Sequence, residues 1–244
     1  MSTPIYAVGD IHGQAEQLET ALARIEADGG PDARIVFLGD YADRGPDSRA
    51  VLDRLIAGQA QGRDWITLKG NHDRMFEMFL REHPVQDDRL LIGYHWLHDR
   101  IGGVETLASY GVPVPEGVRT YQVHAQARAA VPAEHRNFLA GLPNYHQEGA
   151  LLFVHAGIRP GLPLERQVEN DLIWIRQEFL DDPRPHPWLV VHGHTPGKRA
   201  EHHGNRVNLD AGAGYGRPLA AAVFENNQCW LLTETGRQLL APRA

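Results

Sequence analysis

In the segment Ile5-Tyr6-Ala7-Val8-Gly9-Asp10-Ile11-His12-Gly13, four apolar residues lead into a glycine, a carboxylate and an imidazole. A short apolar run of this kind predicts a buried strand, and the glycine lets the backbone turn closely at its end. The same order recurs in Ile35-Val36-Phe37-Leu38-Gly39-Asp40 and in Trp65-Ile66-Thr67-Leu68-Lys69-Gly70-Asn71. Three predicted strands therefore end in a side chain that can bind a metal ion.

Helix-like segments separate these strands, at residues 15–27 and 48–58. Their apolar residues recur every three or four positions, as at Leu18, Leu22 and Ile25, which is typical of one buried helix face. Strands and helices in alternation predict an α/β fold with a parallel sheet. Further strand-like runs follow at 150–154, 188–191, 206–209, 219–224 and 228–232. The close spacing of the last three indicates an antiparallel part.

Between the strand-like runs at 65–68 and 150–154, the sequence favours helices. It contains helix-forming segments at 75–80, 94–100, 103–109 and 134–140, with aromatic and histidine residues among them. We interpret residues 1–244 as a single domain with a helical cap or insertion at about 76–147.

The composition is that of an ordinary globular protein, with 42% hydrophobic and 23% charged residues among 244. The formal net charge of -7 argues against the broad positive field of nucleic-acid binders. No apolar run approaches the ~20 residues of a membrane span, and the single cysteine, Cys229, excludes an internal disulfide. We therefore expect a cytoplasmic protein without a nucleic-acid or membrane partner, and the sequence leaves its oligomeric state open.

Five predicted strands end in candidate metal ligands, namely Asp10 with His12, Asp40, Asn71, His155 and His194. Each alone has an ordinary explanation, because an aspartate or asparagine after a strand often forms a turn or caps a helix, and a lone histidine is often only packed. Together they favour a site, since open α/β sheets bind ligands at the carboxyl ends of their strands. Oxygen and imidazole ligands without a thiolate suit Mn²⁺, Fe, Zn²⁺ or Ni²⁺. Six ligands exceed what one catalytic ion needs, so we expect two ions and one bridging carboxylate.

Five motifs give the chain a resemblance to a known family: Gly9-Asp10-Ile11-His12-Gly13, Gly39-Asp40-Tyr41-Ala42-Asp43-Arg44-Gly45, Gly70-Asn71-His72-Asp73, His155-Ala156-Gly157 and Gly193-His194-Thr195. They resemble the ordered motifs of the phosphoprotein phosphatase family of calcineurin-like metallophosphoesterases, in its bacterial serine/threonine phosphatase branch. The resemblance implies a four-layer α/β fold of two packed mixed β-sheets flanked by helices. It also implies two divalent metal ions, with manganese as the first choice and iron, zinc or nickel as alternatives.

The resemblance assigns a role to each candidate ligand. It implies that Asp10 and His12 hold the first ion, that Asp40 bridges, and that Asn71, His155 and His194 hold the second. Two ions about 3.5 to 4 Å apart polarise phosphoryl oxygens and activate a hydroxide for in-line attack on phosphorus.

The resemblance also implies that His72 acts as general acid, oriented by Asp43, a role worth about 10²- to 10⁴-fold in rate. The other explanation for Asp43 is an ion pair with Arg44 and nothing more. Arg44 offers a planar fork of donors to phosphate. In Trp174-Ile175-Arg176, Arg176 resembles the second phosphate clamp of bacterial members, although Arg159 and Arg166 are close in sequence.

His192 precedes Gly193-His194 and could approach the metal ions, but its expected role is to support a ligand. The remaining histidines follow no predicted strand, so we expect them to be surface or packing residues.

Two features favour a phosphomonoesterase. The segment 96–111, with Trp96-Leu97, Gly102-Gly103 and Thr106 to Gly111, resembles one in bacterial serine/threonine phosphatases. Symmetrical diadenosine tetraphosphate hydrolases share the metal motifs, but tend to lack the aspartate equivalent to Asp43 and to carry tryptophan at the position of Thr195. We therefore expect a serine/threonine or broad-specificity phosphatase whose substrate is a phosphorylated protein or a small phosphate ester.

Two alternatives remain open. One is a symmetrical diadenosine tetraphosphate hydrolase. The other, more distant, is a non-catalytic metal-dependent phosphate-binding module, which the presence of His72 and Asp43 disfavours.

Overall fold

Two β-sheets run through residues 3–243, the part that the computed structural model describes; residues 1, 2 and 244 of the predicted domain lie outside it. The strands are β1 (Ile5–Val8), β2 (Arg34–Phe37), β3 (Trp65–Thr67), β4 (Tyr145–Glu148), β5 (Leu151–Val154), β6 (Leu189–His192), β7 (Glu201–His202), β8 (Arg206–Asn208), β9 (Ala221–Glu225), β10 (Gln228–Thr233) and β11 (Gly236–Leu239). The helices are α1 (Ala15–Gly29), α2 (Ser48–Ala60), α3 (Asn71–Leu80), α4 (Gly103–Ser109), α5 (Thr120–Ala130), α6 (Ala133–Gly141), α7 (Glu169–Trp174) and α8 (Gln177–Leu180).

Both sheets are mixed. The first has the order β11-β10-β9-β1-β2-β3, in which β1, β2 and β3 are parallel while β9, β10 and β11 pair antiparallel. The second has the order β4-β5-β6-β8-β7, in which β5, β6 and β8 are parallel between antiparallel β4 and β7. The predicted α/β fold with two mixed sheets is confirmed.

One local prediction is half right and another is wrong. The strand predicted at 206–209, β8, pairs antiparallel with β7 but parallel with β6, as Val191 opposite Val207 shows. Close spacing along the chain therefore does not fix the direction of every pairing. Residues 94–100 form turns rather than a helix. This path carries the Trp96 indole nitrogen to within 3.0 Å of Asp43.

Side chains alternate along β1 between two apolar cores. Ile5 and Ala7 pack between the two sheets, whereas Tyr6 and Val8 pack against the helices that cover the first sheet. The outer face of the second sheet is covered by α7 and α8, where Phe179 is buried. The result is four layers, helix, sheet, sheet and helix, in which each fully buried aliphatic side chain contributes about 1.5–3 kcal/mol.

Helices α4, α5 and α6 pack on α2 and α3. Their Leu107, Val123 and Leu139 belong to the same apolar core that covers the first sheet. The division into one domain with a helical insertion at about 76–147 stays a prediction. Neither these helices nor the others between residues 3 and 243 combine the length and apolar character needed to cross a bilayer.

Candidate active site

The carboxyl ends of strands from both sheets meet at one place. Strands β1, β2 and β3 lead to Asp10, Asp40 and Asn71, and strands β5 and β6 lead to His155 and His194. All five side chains are buried. The backbone N–H of His194 donates to both carboxylate oxygens of Asp10, at 3.2 and 3.0 Å, and so links the two sheets. The structure thus brings together the candidate ligands that follow these five predicted strands.

The backbone at this place is strained. Seven residues other than glycine have a positive φ within the described chain: His12, Asp40, Asp43, Arg44, His194, Asn226 and Asn227. The first five are predicted site residues, and the last two form the turn between β9 and β10. Such conformations cost about 1–3 kcal/mol each and persist only where the surroundings hold them. The surrounding fold therefore holds these side chains in their orientations, and the strained backbone lowers local stability.

Glycine is required beside two of the carboxylates. A Cβ atom on Gly70 would lie 2.1 Å from Oδ1 of Asp40, and one on Gly193 would lie 1.9 Å from Oδ1 of Asp10. Any larger residue would displace the carboxylate, so the glycines that precede Asn71 and His194 are part of the site.

Asp40 lies between two histidines. Its Oδ2 is 3.5 Å from Nε2 of His12, and its Oδ1 is 3.4 Å from Nε2 of His155. The Nδ1 atoms of the two rings lie 2.9 Å from the carbonyl oxygens of Ala42 and Leu38. Because a carbonyl oxygen only accepts, each Nδ1–H donates and each Nε2 keeps its lone pair toward Asp40. Each oxygen of Asp40 thus faces an acceptor nitrogen, and a cation between the two atoms would bind both.

Asn71 lies among the ring nitrogens of the second sheet. Its Oδ1 is 3.0 Å from Nε2 of His155 and 2.8 Å from Nδ1 of His194. The other nitrogen of His194, Nε2, is buried and has no hydrogen-bond partner within residues 3–243. Ligand atoms of Asp40, His155 and His194 lie within 4.8 Å of one another. A carboxylate and two imidazoles whose ligand atoms converge in this way are what a divalent cation would bind.

A second group overlaps the first. Ligand atoms of His12, Asp40 and His72 also lie within 4.8 Å of one another, so Asp40 belongs to both groups. Asp10 is adjacent, with its carboxylate on the backbone of His194. Two groups that share one carboxylate fit two cations better than one.

Burial sets the charges of these side chains. It lowers the pKa of His12, His155 and His194, so the rings are neutral near pH 7, the state in which histidine binds a metal. It raises the pKa of Asp10, and neighbouring carboxylates raise that pKa further. A divalent cation would offset both the burial and the repulsion. The donor set therefore fits a divalent metal centre.

His72 is paired with a buried carboxylate. Its Nδ1 lies 2.7 Å from Oδ2 of Asp43, which is fully buried. The guanidinium of Arg44 is instead within hydrogen-bond distance of Nε2 of His72, at 2.9 Å, and of Nε2 of His12, at 2.6 Å. In the described chain the partner of Asp43 is thus His72 rather than Arg44.

The two predicted phosphate-binding arginines lie at the same site. Arg44 contacts the histidines there, and Arg176 donates to Oγ1 of Thr195, at 3.2 Å, beside His194. Arg159, a nearby alternative to Arg176, donates to both carboxylate oxygens of Asp171, at 2.8 and 2.7 Å, and so has another role.

Two carboxylates of the site were not assigned from the sequence. Asp73 accepts hydrogen bonds from the backbone N–H groups of Asp40, at 2.7 Å, and Gly70, at 2.9 Å, and so holds the turn at Asp40. Asp210 follows β8 and faces Asp10; burial raises its pKa to about 6. A strand followed by a carboxylate is the same signal that marked Asp10, so Asp210 could have been found.

Trp96 and Thr106 were also not assigned a role. The Trp96 indole N–H donates to both oxygens of Asp43, at 3.1 and 3.0 Å, and the Thr106 hydroxyl donates to Oδ1, at 2.8 Å. The segment 96–111, from which the substrate was predicted, therefore contributes side chains to Asp43. Its resemblance to serine/threonine phosphatases has a structural explanation that does not involve the substrate.

The side-chain hydrogen bonds of His192 go to Gly193 and Arg206. Its Nδ1 is 3.0 Å from the carbonyl oxygen of Gly193, and its Nε2 is 3.3 Å from a guanidinium nitrogen of Arg206. Burial, with the charge of Arg206, lowers its pKa to about 3. Within residues 3–243, no side-chain hydrogen bond from His192 to a predicted metal ligand accompanies these contacts.

Comparisons with known proteins agree with this geometry. A family model of the calcineurin-like phosphoesterases matches residues 3–225. The asymmetrical bis(5'-nucleosyl)-tetraphosphatase PrpE of Halalkalibacterium halodurans is 26% identical over 89% of this chain and 88% of its own. The symmetrical bis(5'-nucleosyl)-tetraphosphatase of Bordetella parapertussis is 32% identical over 65% of this chain and 45% of its own.

The fold recurs in the solved structure of a cold-active protein-tyrosine phosphatase from a Shewanella species. The TM-score is 0.63, at 18% identity, with 99% of this chain and 81% of that one covered. This likeness concerns the fold alone. The family model spans strands of both sheets and all the predicted site residues, and the histidines and aspartates fit a divalent metal centre. The chain is therefore a metallophosphoesterase and belongs to the calcineurin-like phosphoesterase family.

Proposed function

We propose that this chain hydrolyses dinucleoside tetraphosphates at a centre of two divalent metal ions, with asymmetrical cleavage. The observation that carries the centre is that the two oxygens of Asp40 face two different proposed ligands, His12 and His155. The substrate is inferred from relatives named bis(5'-nucleosyl)-tetraphosphatases, the asymmetrical one matched over 88% of its length and the symmetrical one over 45%. These relatives favour a dinucleoside tetraphosphate hydrolase over the predicted serine/threonine phosphatase, and the predicted alternative was the symmetrical kind.

The proposed ligands are Asp10 and His12 for one ion, Asn71, His155 and His194 for the other, and Asp40 for both. Ions at such a centre supply Lewis-acid polarisation of phosphoryl oxygens and a lowered pKa for water. Burial lowers the pKa of His12, His155 and His194, and the neutral rings that result support this assignment. Manganese is the first choice for a test, and the mixed donor set also admits iron, zinc or nickel.

Arg44 and Arg176 are proposed to hold the phosphate, and His72 to protonate the leaving oxygen from Nε2. Arg44 already lies 2.9 Å from that nitrogen, so a phosphate bound to Arg44 would have an oxygen within its reach. Asp43, on the opposite ring nitrogen, holds the imidazole in the required orientation.

A phosphomonoesterase is the second candidate, and the buried pair of His72 and Asp43 favours it. A nucleotide leaves as a stable phosphate anion, whereas an alkoxide or phenolate leaves far better with a proton. An acid held in this way suits esters with poor leaving groups, such as small alkyl and aryl phosphates or phosphorylated serine and threonine.

One comparison tests the proposal: rates with diadenosine tetraphosphate, a phosphoserine peptide and a phosphotyrosine peptide, all with the same Mn²⁺ concentration. We expect the dinucleotide to react fastest, to yield ATP and AMP, and to stop reacting when a chelator is added. Formation of ADP alone would show symmetrical cleavage. Faster hydrolysis of either peptide would overturn the proposed substrate in favour of the second candidate.

A further inference from the structure

The carboxylate of Asp43 accepts hydrogen bonds from three side chains. Asp43 is 0% exposed, and its oxygens accept from Nδ1 of His72 at 2.7 Å, from Nε1 of Trp96 at 3.1 and 3.0 Å, and from Oγ1 of Thr106 at 2.8 Å. A buried carboxylate without such donors carries a large penalty. Indole and hydroxyl groups share the negative charge without cancelling it, so Asp43 keeps its attraction for the ring proton of His72.

Thr106 fixes the conformation of Asp43 twice. Its Oγ1 accepts the backbone N–H of Asp43, at 2.8 Å, and donates to the carboxylate of the same residue, at 2.8 Å. Ser48 adds a second acceptor for that N–H, at 3.1 Å, and lies 3.1 Å from the Thr106 hydroxyl. Asp43 has a φ of 74°, a strained value that needs such restraint.

Trp96 is held by the helix that carries His72. Helix α3 begins at Asn71, and its Phe76 and Phe79 rings pack on the indole with centroids 5.0 and 4.6 Å away. The indole N–H is therefore fixed relative to both members of the His72 and Asp43 pair. Trp96 and Thr106 both lie in the segment between β3 and β4, so the helical insertion contributes to the arrangement of this pair.

We propose that Trp96 and Thr106 are positioning residues for proton transfer by His72. The inference rests on the general-acid role of His72 in the proposed function. Removal of either donor lets Asp43 turn, so that it no longer holds the imidazole in the orientation that proton transfer requires. The helical insertion thus contributes to proton transfer.

The test compares two substrates in the presence of Mn²⁺. Phenyl phosphate needs a proton on its leaving oxygen, and 2,4-dinitrophenyl phosphate does not. We expect Trp96→Phe and Thr106→Val to lower kcat for phenyl phosphate about three- to tenfold, the loss typical of one hydrogen bond, with KM unchanged. Both variants should lower kcat for the dinitrophenyl ester less than about twofold. Thr106→Ser, which keeps the hydroxyl, should restore the rate with phenyl phosphate.

Controls separate this inference from the general-acid role itself. Trp65→Phe makes the same change in a buried core tryptophan away from Asp43 and should affect both substrates equally or not at all. His72→Ala should lose far more activity on phenyl phosphate than on the dinitrophenyl ester. If His72→Ala discriminates between the esters and the Trp96 and Thr106 variants do not, the positioning role is wrong and the general acid stands. If His72→Ala does not discriminate, both are overturned.

Discussion

Asp40 connects ligands from the two sheets through its two oxygens. Oδ2 faces His12, which follows a strand of the first sheet, and Oδ1 faces His155, which follows a strand of the second. Asp73 fixes the turn by accepting the Asp40 backbone N–H at 2.7 Å. Asparagine would keep this shape, but it would replace one acceptor oxygen with a donor nitrogen and remove the charge.

We therefore expect Asp40→Asn to lose both metal ions together, because no other side chain in the proposed set serves both. The measurement is the metal content per chain by elemental analysis after gel filtration in Mn²⁺-containing buffer. Asp88→Asn, at an exposed aspartate, should retain both ions. An Asp40→Asn protein that still holds two ions per chain would rule out the bridging role.

The strand-end residues of this site could be predicted because each lies directly after an apolar run, so one local pattern marks it. The contacts of Asp43 with Trp96 and Thr106 could not, since the partners are 53 and 63 residues apart and no period connects them. The positive φ values at Asp40 and Asp43 are likewise set by the surrounding fold.

At the level of secondary structure, buried elements were predicted and exposed ones were missed. The apolar runs that form β1, β2, β5 and β6 have no polar alternation because both faces are covered. Strands β4 and β11 lie at sheet edges and carry exposed polar residues, so they have no apolar signal. Helix α4 spans the predicted 103–109, whereas α3 begins at Asn71, four residues before the predicted 75–80.

A chain of hydrogen bonds joins three helices of the molecule. The hydroxyl of Tyr110, at the end of α4, lies 2.7 Å from Nδ1 of His135 on α6, and Nε2 of His135 lies 2.9 Å from Asp53 on α2. Both Tyr110 and His135 are buried, so a lost partner would not be replaced by water.

We expect Tyr110→Phe to lower the free energy of unfolding by about 1–3 kcal/mol, because it leaves a ring nitrogen of His135 unpaired. Urea unfolding followed by circular dichroism measures this change. Tyr121→Phe, at a tyrosine that is 62% exposed, is the matched control and should be neutral. Equal stability of the two variants would mean that the chain of hydrogen bonds contributes nothing to holding the insertion.

In the whole molecule, the metal centre and the packing of the two sheets depend on each other. The proposed ligands come from the strand ends of both sheets, and the core between the sheets lies directly behind them. An ion that binds only this arrangement stabilises it by mass action, by about 2.7 kcal/mol at a hundredfold excess over Kd. Metal removal should therefore loosen the contact between the sheets as well as stop the reaction.

Cys229 reports on that contact because it is buried in the core between the sheets. Burial raises the pKa of its thiol to about 12, whereas a thiol in an unfolded chain has a pKa of about 8.5 and reacts with iodoacetamide near neutral pH. Alkylation near pH 8 then requires opening of the fold, and its rate follows the open fraction. We expect chelated protein to react about a hundredfold faster than protein with Mn²⁺ at that excess, as mass spectrometry would measure. Asp40→Asn should abolish the difference, and an equal rate with and without Mn²⁺ in the unmodified protein would show that the sheets separate independently of the centre.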